Sequence, residues 1–270
     1  MAQPSDSPSN RDPDPPASLV GRTASHLGRL LPLAVVPLAT ALFRARELLA
    51  TGQANGVTIR ASFPVYRYDL WSFVDAPRSG VTVSLPFGSL DPLPLLVPLI
   101  GAYVVVSGAL SAGYFGSIAD GITTGRFGFV ASVRRFGVRM VLLEAIVIVA
   151  VAAVFLPLLV FPPLFVAAVL AALVLSYLYF PTVYVIALED RGIESAARRA
   201  RELVGRHRPL GFFLAVAVVT AVCSVPLGLL AHAGPGGALL AAVVAAPLGL
   251  AFNVATALKV AEMAEVETAE

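Results

Sequence analysis

The chain has 270 residues, of which 57% are hydrophobic and only 13% charged, with a formal net charge of +2; its mean hydropathy is +0.83. A soluble domain carries about 25% charged residues, so no soluble fold hides this much apolar surface, and the near-neutral balance excludes the broad basic field that nucleic acid requires. The single cysteine, Cys223, lies inside an apolar run, which excludes an internal disulfide and a cysteine-based metal cage.

Residues 1–22 are rich in Pro, Ser and Asp with little to bury, and read as a disordered cytoplasmic tail. The first apolar run starts only after Arg29, too late for a secretory signal. About 14 residues separate Arg29 from Arg44; at about 1.5 Å each they reach roughly 21 Å, short of a hydrocarbon core of roughly 30 Å. Spanning requires the helix to run on toward Leu49 while Arg44 and Arg46 snorkel outward; otherwise this segment lies in the interface.

Residues 52–91 change texture. The stretches VTIRASFPVYRYDLWSFVD and SGVTVSLPF mix β-branched and aromatic residues in partial alternation, which reads as short strands or an extended lid over the outer face. Trp71, with Tyr66, Tyr68 and Phe73 nearby, suits the headgroup level.

Five stronger apolar segments follow at 94–118, 138–160, 164–187, 210–232 and 236–258, each roughly 23 to 25 residues and long enough to cross with some tilt. The loops between them alternate. One holds Arg126, Arg134, Arg135 and Arg139, another Arg191, Arg198, Arg199, Arg201, Arg206 and Arg208, whereas the turns Phe161-Pro162-Pro163 and Ala233-Gly234-Pro235 carry no charge. Arginines concentrate on the cytoplasmic side, so both basic loops are expected inside, the bare turns and the insert outside, and both termini inside. The expected architecture is an all-α integral membrane protein of the cell membrane, a six-helix polytopic bundle, five if the first segment is interfacial. Residues 23–270 form one membrane domain with two cytoplasmic amphipathic elbow helices and a small β-like extracytoplasmic insert.

The two basic loops also resemble each other. Gly128 to Arg135 aligns without gaps on Gly192 to Arg199, and the preceding helices end in Tyr114-Phe115 and Tyr179-Phe180, so 94–160 and 164–232 read as a hairpin repeat. Phe129, Val133, Phe136 and Met140 in the first loop, and Ile193, Ala197, Ala200, Val204 and His207 in the second, recur at helical spacing and give each an apolar face. Such helices lie apolar side down in the inner interface with arginines toward anionic headgroups. Arg134, Arg135, Arg139, Arg198, Arg199 and Arg206 are therefore the candidates for contact with anionic lipid or a partner.

The run YFPTVYVIALEDRGIESAARRARELVGRHRPLGFF, with Glu189, Gly192, Glu194, Ala197, Arg198, Arg199, Leu203, Val204 and Gly211 in place, resembles a set of poorly characterised prokaryotic multi-pass families. Those families are related to the membrane domain of glycerophosphodiester phosphodiesterases. The likeness covers roughly 94–258, departs at the outer insert and does not extend to the soluble phosphodiesterase barrel. It implies a multi-pass membrane domain and brings no catalytic residues with it.

Chemistry-bearing motifs are sparse. His26, His207 and His232 are far apart, no metal or cofactor site is expected, and Gly121 to Gly125 has the spacing of a helix-contact motif but falls at a helix end, where a turn is expected. Two intramembrane polar residues stand out. Glu144 needs a partner or a proton at its depth, for which Arg139, Lys259 or Asn253 are the candidates. Asn253 ends a stripe of Gly237, Ala241, Ala245 and Gly249, which serves close packing inside the bundle or a homo-oligomer seam. The expected function is that of a non-catalytic multi-pass protein in membrane or envelope homeostasis, or a partner subunit. The alternative is a small transporter or channel subunit with Glu144 and Asn253 near the path.

Overall fold

A computed structural model describes residues 18–53, 67–75 and 93–268. Among the described residues ten α-helices follow one another: α1 (Leu19–Leu30), α2 (Val35–Phe43), α3 (Ala45–Thr51), α4 (Leu93–Thr123), α5 (Phe129–Val160), α6 (Phe165–Tyr179), α7 (Thr182–Glu189), α8 (Ile193–His207), α9 (Leu210–Ala231) and α10 (Pro235–Thr268). Among the described residues there is no strand. Six stretches are long and apolar enough to cross a membrane: Leu19–Phe43, Pro98–Thr123, Phe129–Val154, Phe165–Glu189, Leu210–Ala231 and Pro235–Glu265. The chain is an all-α polytopic bundle.

Local chemistry sets the breaks. The Ser18 hydroxyl caps α1 by accepting from the Gly21 amide at 3.2 Å. Phe180 and Pro181 separate α6 from α7, because proline brings no amide hydrogen to the helix ladder. Asp190 takes a left-handed conformation (φ 53°) to end α7, and Arg208 (φ 42°) ends α8 one residue before Pro209.

Helix α10 is the central post, packed against α1, α2, α3, α4, α7, α8 and α9. Helices α4 and α5 pack most closely on each other, as an antiparallel hairpin closed by small residues. A Cβ added to Gly108 would lie 2.5 Å from the Val141 Cα, and one added to Gly116 would lie 2.6 Å from the Ser132 Cβ. With Ala112 fully buried between them, these residues recur every fourth position and let the two backbones touch.

The two basic loops meet at one end of the bundle. Arg135 donates to Asp190 Oδ2 at 2.9 Å, and Arg139 pairs with Asp190 Oδ1, so the start of α5 is tied to the α7–α8 turn. At the opposite end, a Cβ on Gly52 would lie 2.5 Å from the Gly234 carbonyl carbon. The arginine-bearing loops therefore share one end, and the Gly52 and Gly234 turns share the other.

Several expectations change in detail. The tail assigned to 1–22 stops by Ser18, since Leu19 already begins α1, and 1–17 lie outside the described residues. The first span has 25 residues because the helix starts at Leu19 rather than after Arg29; its length is roughly 37 Å, so no extension past Arg44 is needed. The first elbow is not a separate helix but the first turns of α5. The second elbow, α8, is separate, yet its apolar face is buried against protein. Ala196, Leu203 and Val204 belong to the core with Tyr184 and Val254, which leaves no apolar side to rest on lipid. Ala241, Ala245 and Gly249 are likewise buried within the chain, so these positions of the small-residue stripe pack internally.

Substituting Gly108→Ala should lower the midpoint of thermal unfolding in detergent, because the new methyl meets backbone rather than a movable side chain; overpacking of this kind costs about 1–3 kcal/mol. Gly101→Ala, with open space around it, should leave the midpoint unchanged or raise it slightly.

Candidate ligand site beside a re-entrant segment

Residues 67–75 do not form a strand or a lid. They make a short turn with a 3-10 helix at Leu70–Ser72, whose capping residue is Asp69. The Asp69 carboxylate accepts from the Trp71 amide at 3.0 Å, and the Ser72 hydroxyl accepts from the Asp69 amide at 3.3 Å. Backbone bonds from Phe73 and Val74 to the Leu70 carbonyl, both 2.9 Å, complete the turn. Tyr68, Leu70, Phe73 and Val74 are almost completely buried.

The turn penetrates the bundle. Tyr68 stacks on Phe252 of α10 with ring centroids 5.1 Å apart. A Cβ on Gly249 would lie 2.5 Å from the Tyr68 carbonyl oxygen, so only glycine fits there. Gly249 and Phe252 lie about halfway along the apolar span Pro235–Glu265, roughly 21 Å from the start of α10 by helical rise. Arg67 reaches a similar depth, donating to the Ser111 hydroxyl at 3.2 Å, and Ser111 lies near the middle of the span Pro98–Thr123. Non-helical backbone at such depth is tolerated where it is covered by protein or lines a cavity; here both conditions hold. Neither lid nor headgroup belt describes this part of the insert. The remainder of the segment assigned to 52–91, apart from Gly52 and Gln53, lies outside the described residues.

The cavity, about 630 Å³, opens between α2 and α4 beside the turn. Its outer wall is apolar and open sideways: Phe43, Leu99, Tyr103 and Val106 line it and are each at least half exposed. Its inner wall is polar, with Arg44, Arg67, Asp69, Trp71 and Ser107. The Arg44 guanidinium lies over the Trp71 ring, 4.5 Å from its centre, and also pairs with Glu47. The Trp71 indole N–H is buried and has no hydrogen-bond partner, a state that costs about 1–3 kcal/mol. Arg67, hydrogen-bonded to Ser111 at mid-span, is likewise costly there.

The two intramembrane residues singled out from the sequence are not brought together. Ser107 donates to Glu144 Oε1 at 2.9 Å; none of the three expected partners does so, since Arg139 is held by Asp190, Lys259 by Glu262, and Asn253 by two tyrosines. Asn253 is fully buried: its amide donates to the Tyr114 hydroxyl at 3.0 Å and the Gly249 carbonyl at 2.9 Å, and its oxygen accepts from the Tyr184 hydroxyl at 3.0 Å. This closed knot joins α4, α7 and α10 and does not line the cavity.

The candidate arginines divide into two sets. Arg135 and Arg139 share Asp190, Arg199 faces Glu189 at 3.5 Å and is only 13% exposed, and Arg198 pairs with Glu194 on the outer face of α8. Arg134 and Arg206 are exposed, as is Arg201. The Arg135 and Arg139 guanidiniums hold the Asp190 carboxyl below its usual range.

Arg44, Arg67, Asp69 and Ser107 were missed as site residues from the sequence. The available signal was Asp69-x-x-Ser72, a capping pattern with two flanking charges inside an aromatic run. Comparison of the chain with protein-family models, with curated proteins and with solved structures finds no match.

Two outcomes test this description. Gly249→Ala should displace the turn and red-shift the emission of Trp71, the single tryptophan of the chain, while Gly101→Ala leaves the spectrum unchanged. A depressed folded-state pKa stabilises above the ordinary carboxylate value and ceases to do so as the pH falls below it. Asp190→Asn should thus lower the thermal midpoint modestly at pH 7, the pair being partly exposed, and the difference from the unmodified protein should fade below about pH 4.

Proposed function

We propose that this chain is a non-catalytic membrane protein of the cell membrane that acts by holding anionic lipid, or an acidic partner, against its arginine-bearing end, with that end cytoplasmic. The observation that carries the reading is the division of labour among the arginines. Arg135 and Arg139 tie the two loops together through Asp190 and Arg199 is largely covered beside Glu189, while Arg134, Arg198, Arg201 and Arg206 are exposed at the same end, Arg198 with its pairing to Glu194 on the α8 surface. Each basic residue near an anionic surface contributes about 1 kcal/mol. A burial of the α8 apolar face against the bundle means that attraction rests on charge alone and is correspondingly sensitive to salt. Kinship with the multi-pass families related to the membrane domain of glycerophosphodiester phosphodiesterases belongs to this reading, supported by the residues from Glu189 to Gly211 quoted above.

A transporter or channel subunit is the second reading, favoured by one contact: Ser107 lines the cavity and bonds Glu144, so the cavity ends one hydrogen bond from that carboxylate. Asn253 gives this reading no support, being enclosed away from the cavity.

The test is lipid enrichment around the purified protein in mixed nanodiscs. Replacing Arg134, Arg198, Arg201 and Arg206 by Gln should reduce the enrichment of anionic over zwitterionic lipid about tenfold at low ionic strength, and raising the salt should reduce it in the unmodified protein. Unchanged enrichment would remove the basis of the proposal. Labelling of Arg134→Cys and Arg201→Cys by a membrane-impermeant thiol reagent, from opposite sides of intact cells, checks the assigned orientation.

A further inference from the structure

We propose that the lateral cavity between α2, α4 and the re-entrant turn binds one anionic phospholipid drawn from the surrounding bilayer, with its phosphate on Arg44 and Arg67. This site lies at the opposite end from the arginine loops and stands independently of the function proposed above.

Three observations point to the occupant. The mouth of the cavity is apolar and faces sideways through Phe43, Leu99, Tyr103 and Val106, which suits acyl chains and offers nothing to a soluble ion arriving from water. The inner wall carries two guanidiniums, Arg44 and Arg67, with Asp69 among the lining residues and Glu47 paired to Arg44, so charged donors stand where hydrocarbon should lie. The third is Trp71, which lines the same wall with the Arg44 guanidinium over its ring at 4.5 Å, so that this fork is held at the cavity. A volume of about 630 Å³ lies within the ordinary range for a small-ligand site, roughly 300–1,000 Å³, and accommodates a headgroup with the upper part of a chain. An anion between Arg44 and Arg67 also accounts for the depth of Arg67. Its hydrogen bond to Ser111 and the Asp69 carboxylate nearby occupy part of the guanidinium's surroundings, and the planar fork can hold a phosphate with its other donors.

Because Trp71 is the single tryptophan and lines the cavity, its fluorescence reports the occupant. The full-length protein is placed in phosphatidylcholine nanodiscs containing the same low mole fraction of either brominated phosphatidylglycerol or brominated phosphatidylcholine. The brominated anionic lipid should show an apparent affinity for the Trp71 quenching site roughly tenfold higher. Combining Arg44→Gln with Arg67→Gln should abolish the preference, whereas the four Gln substitutions at the arginine-bearing end should leave it intact. Ala102→Phe, which narrows the mouth and leaves both guanidiniums in place, should abolish it too and provides the check if the double variant does not fold. Equal quenching by the two lipids in the unmodified protein would overturn the proposal. So would a preference that survives in a folded variant, and so would loss of the preference on adding inorganic phosphate, which would assign the cavity to soluble anions.

Discussion

The structure depends on one constraint: backbone and charge carried into the hydrocarbon layer must be covered by protein, because lipid offers them no hydrogen bonds. Most of the chain meets this by being helical. The turn at 67–75 meets it otherwise. It makes its own bonds through the Asp69–Ser72 capping box and is walled in by α2, α4 and α10. The small residues follow from the same requirement, since Gly249 is the position where the turn's backbone touches α10, and a side chain there would leave the segment no room at that depth.

The same logic explains why the bundle is uneven. Toward the arginine end, the helices converge on a core of Tyr114, Phe115, Phe136, Tyr184 and Leu203, closed by the Asn253 knot. Three hydrogen bonds on one amide satisfy nearly its whole capacity, so Asn253 fixes the mutual register of α4, α7 and α10. On the far side, α4 leaves room beside α2, and its exposed Leu99, Tyr103 and Val106 border the cavity. A second core, built on Trp71, Phe73, Leu227 and Ala241, anchors the turn there instead. The cavity is thus the space between α2 and α4 that the turn leaves open.

Much of this was legible in the sequence, and the limits have physical causes. The spans, the bare turns and the meeting of the two arginine loops follow from hydropathy and charge, which are additive along a chain and need no knowledge of neighbours. The turn at 67–75 does not. Alternating aromatic and β-branched residues describe a pleated, half-buried surface, and the same residues suit a plug buried on every side; depth is a tertiary property with no local signal. The α8 helix shows the same limit. Its periodicity correctly gave one apolar face, but periodicity is silent on whether that face meets lipid or protein. Gly108, Ala112 and Gly116 carry the same four-residue spacing as Gly121 and Gly125, and only the first set forms the α4–α5 contact, since the chain turns at Gly125 with φ +71°.

Charge placement separates architecture from function. The Asp190 clamp is 42% exposed on its acidic side and at least 36% on each arginine, and ion pairs that wet contribute about 1 kcal/mol or less; its work is to set which loop lies beside which. Arg67 belongs to a different class. A partly covered guanidinium bonded to a serine at mid-span is a poor way to stabilise a fold, since an apolar pair of similar volume would do so at lower cost. Nor is lysine an equal substitute, because a planar fork with several donors can hold Ser111 and still offer a face to another anion. With Ser111 as its hydrogen-bond partner and Asp69 beside it, Arg67 still lines the cavity with donors to spare, which is the role proposed for it there.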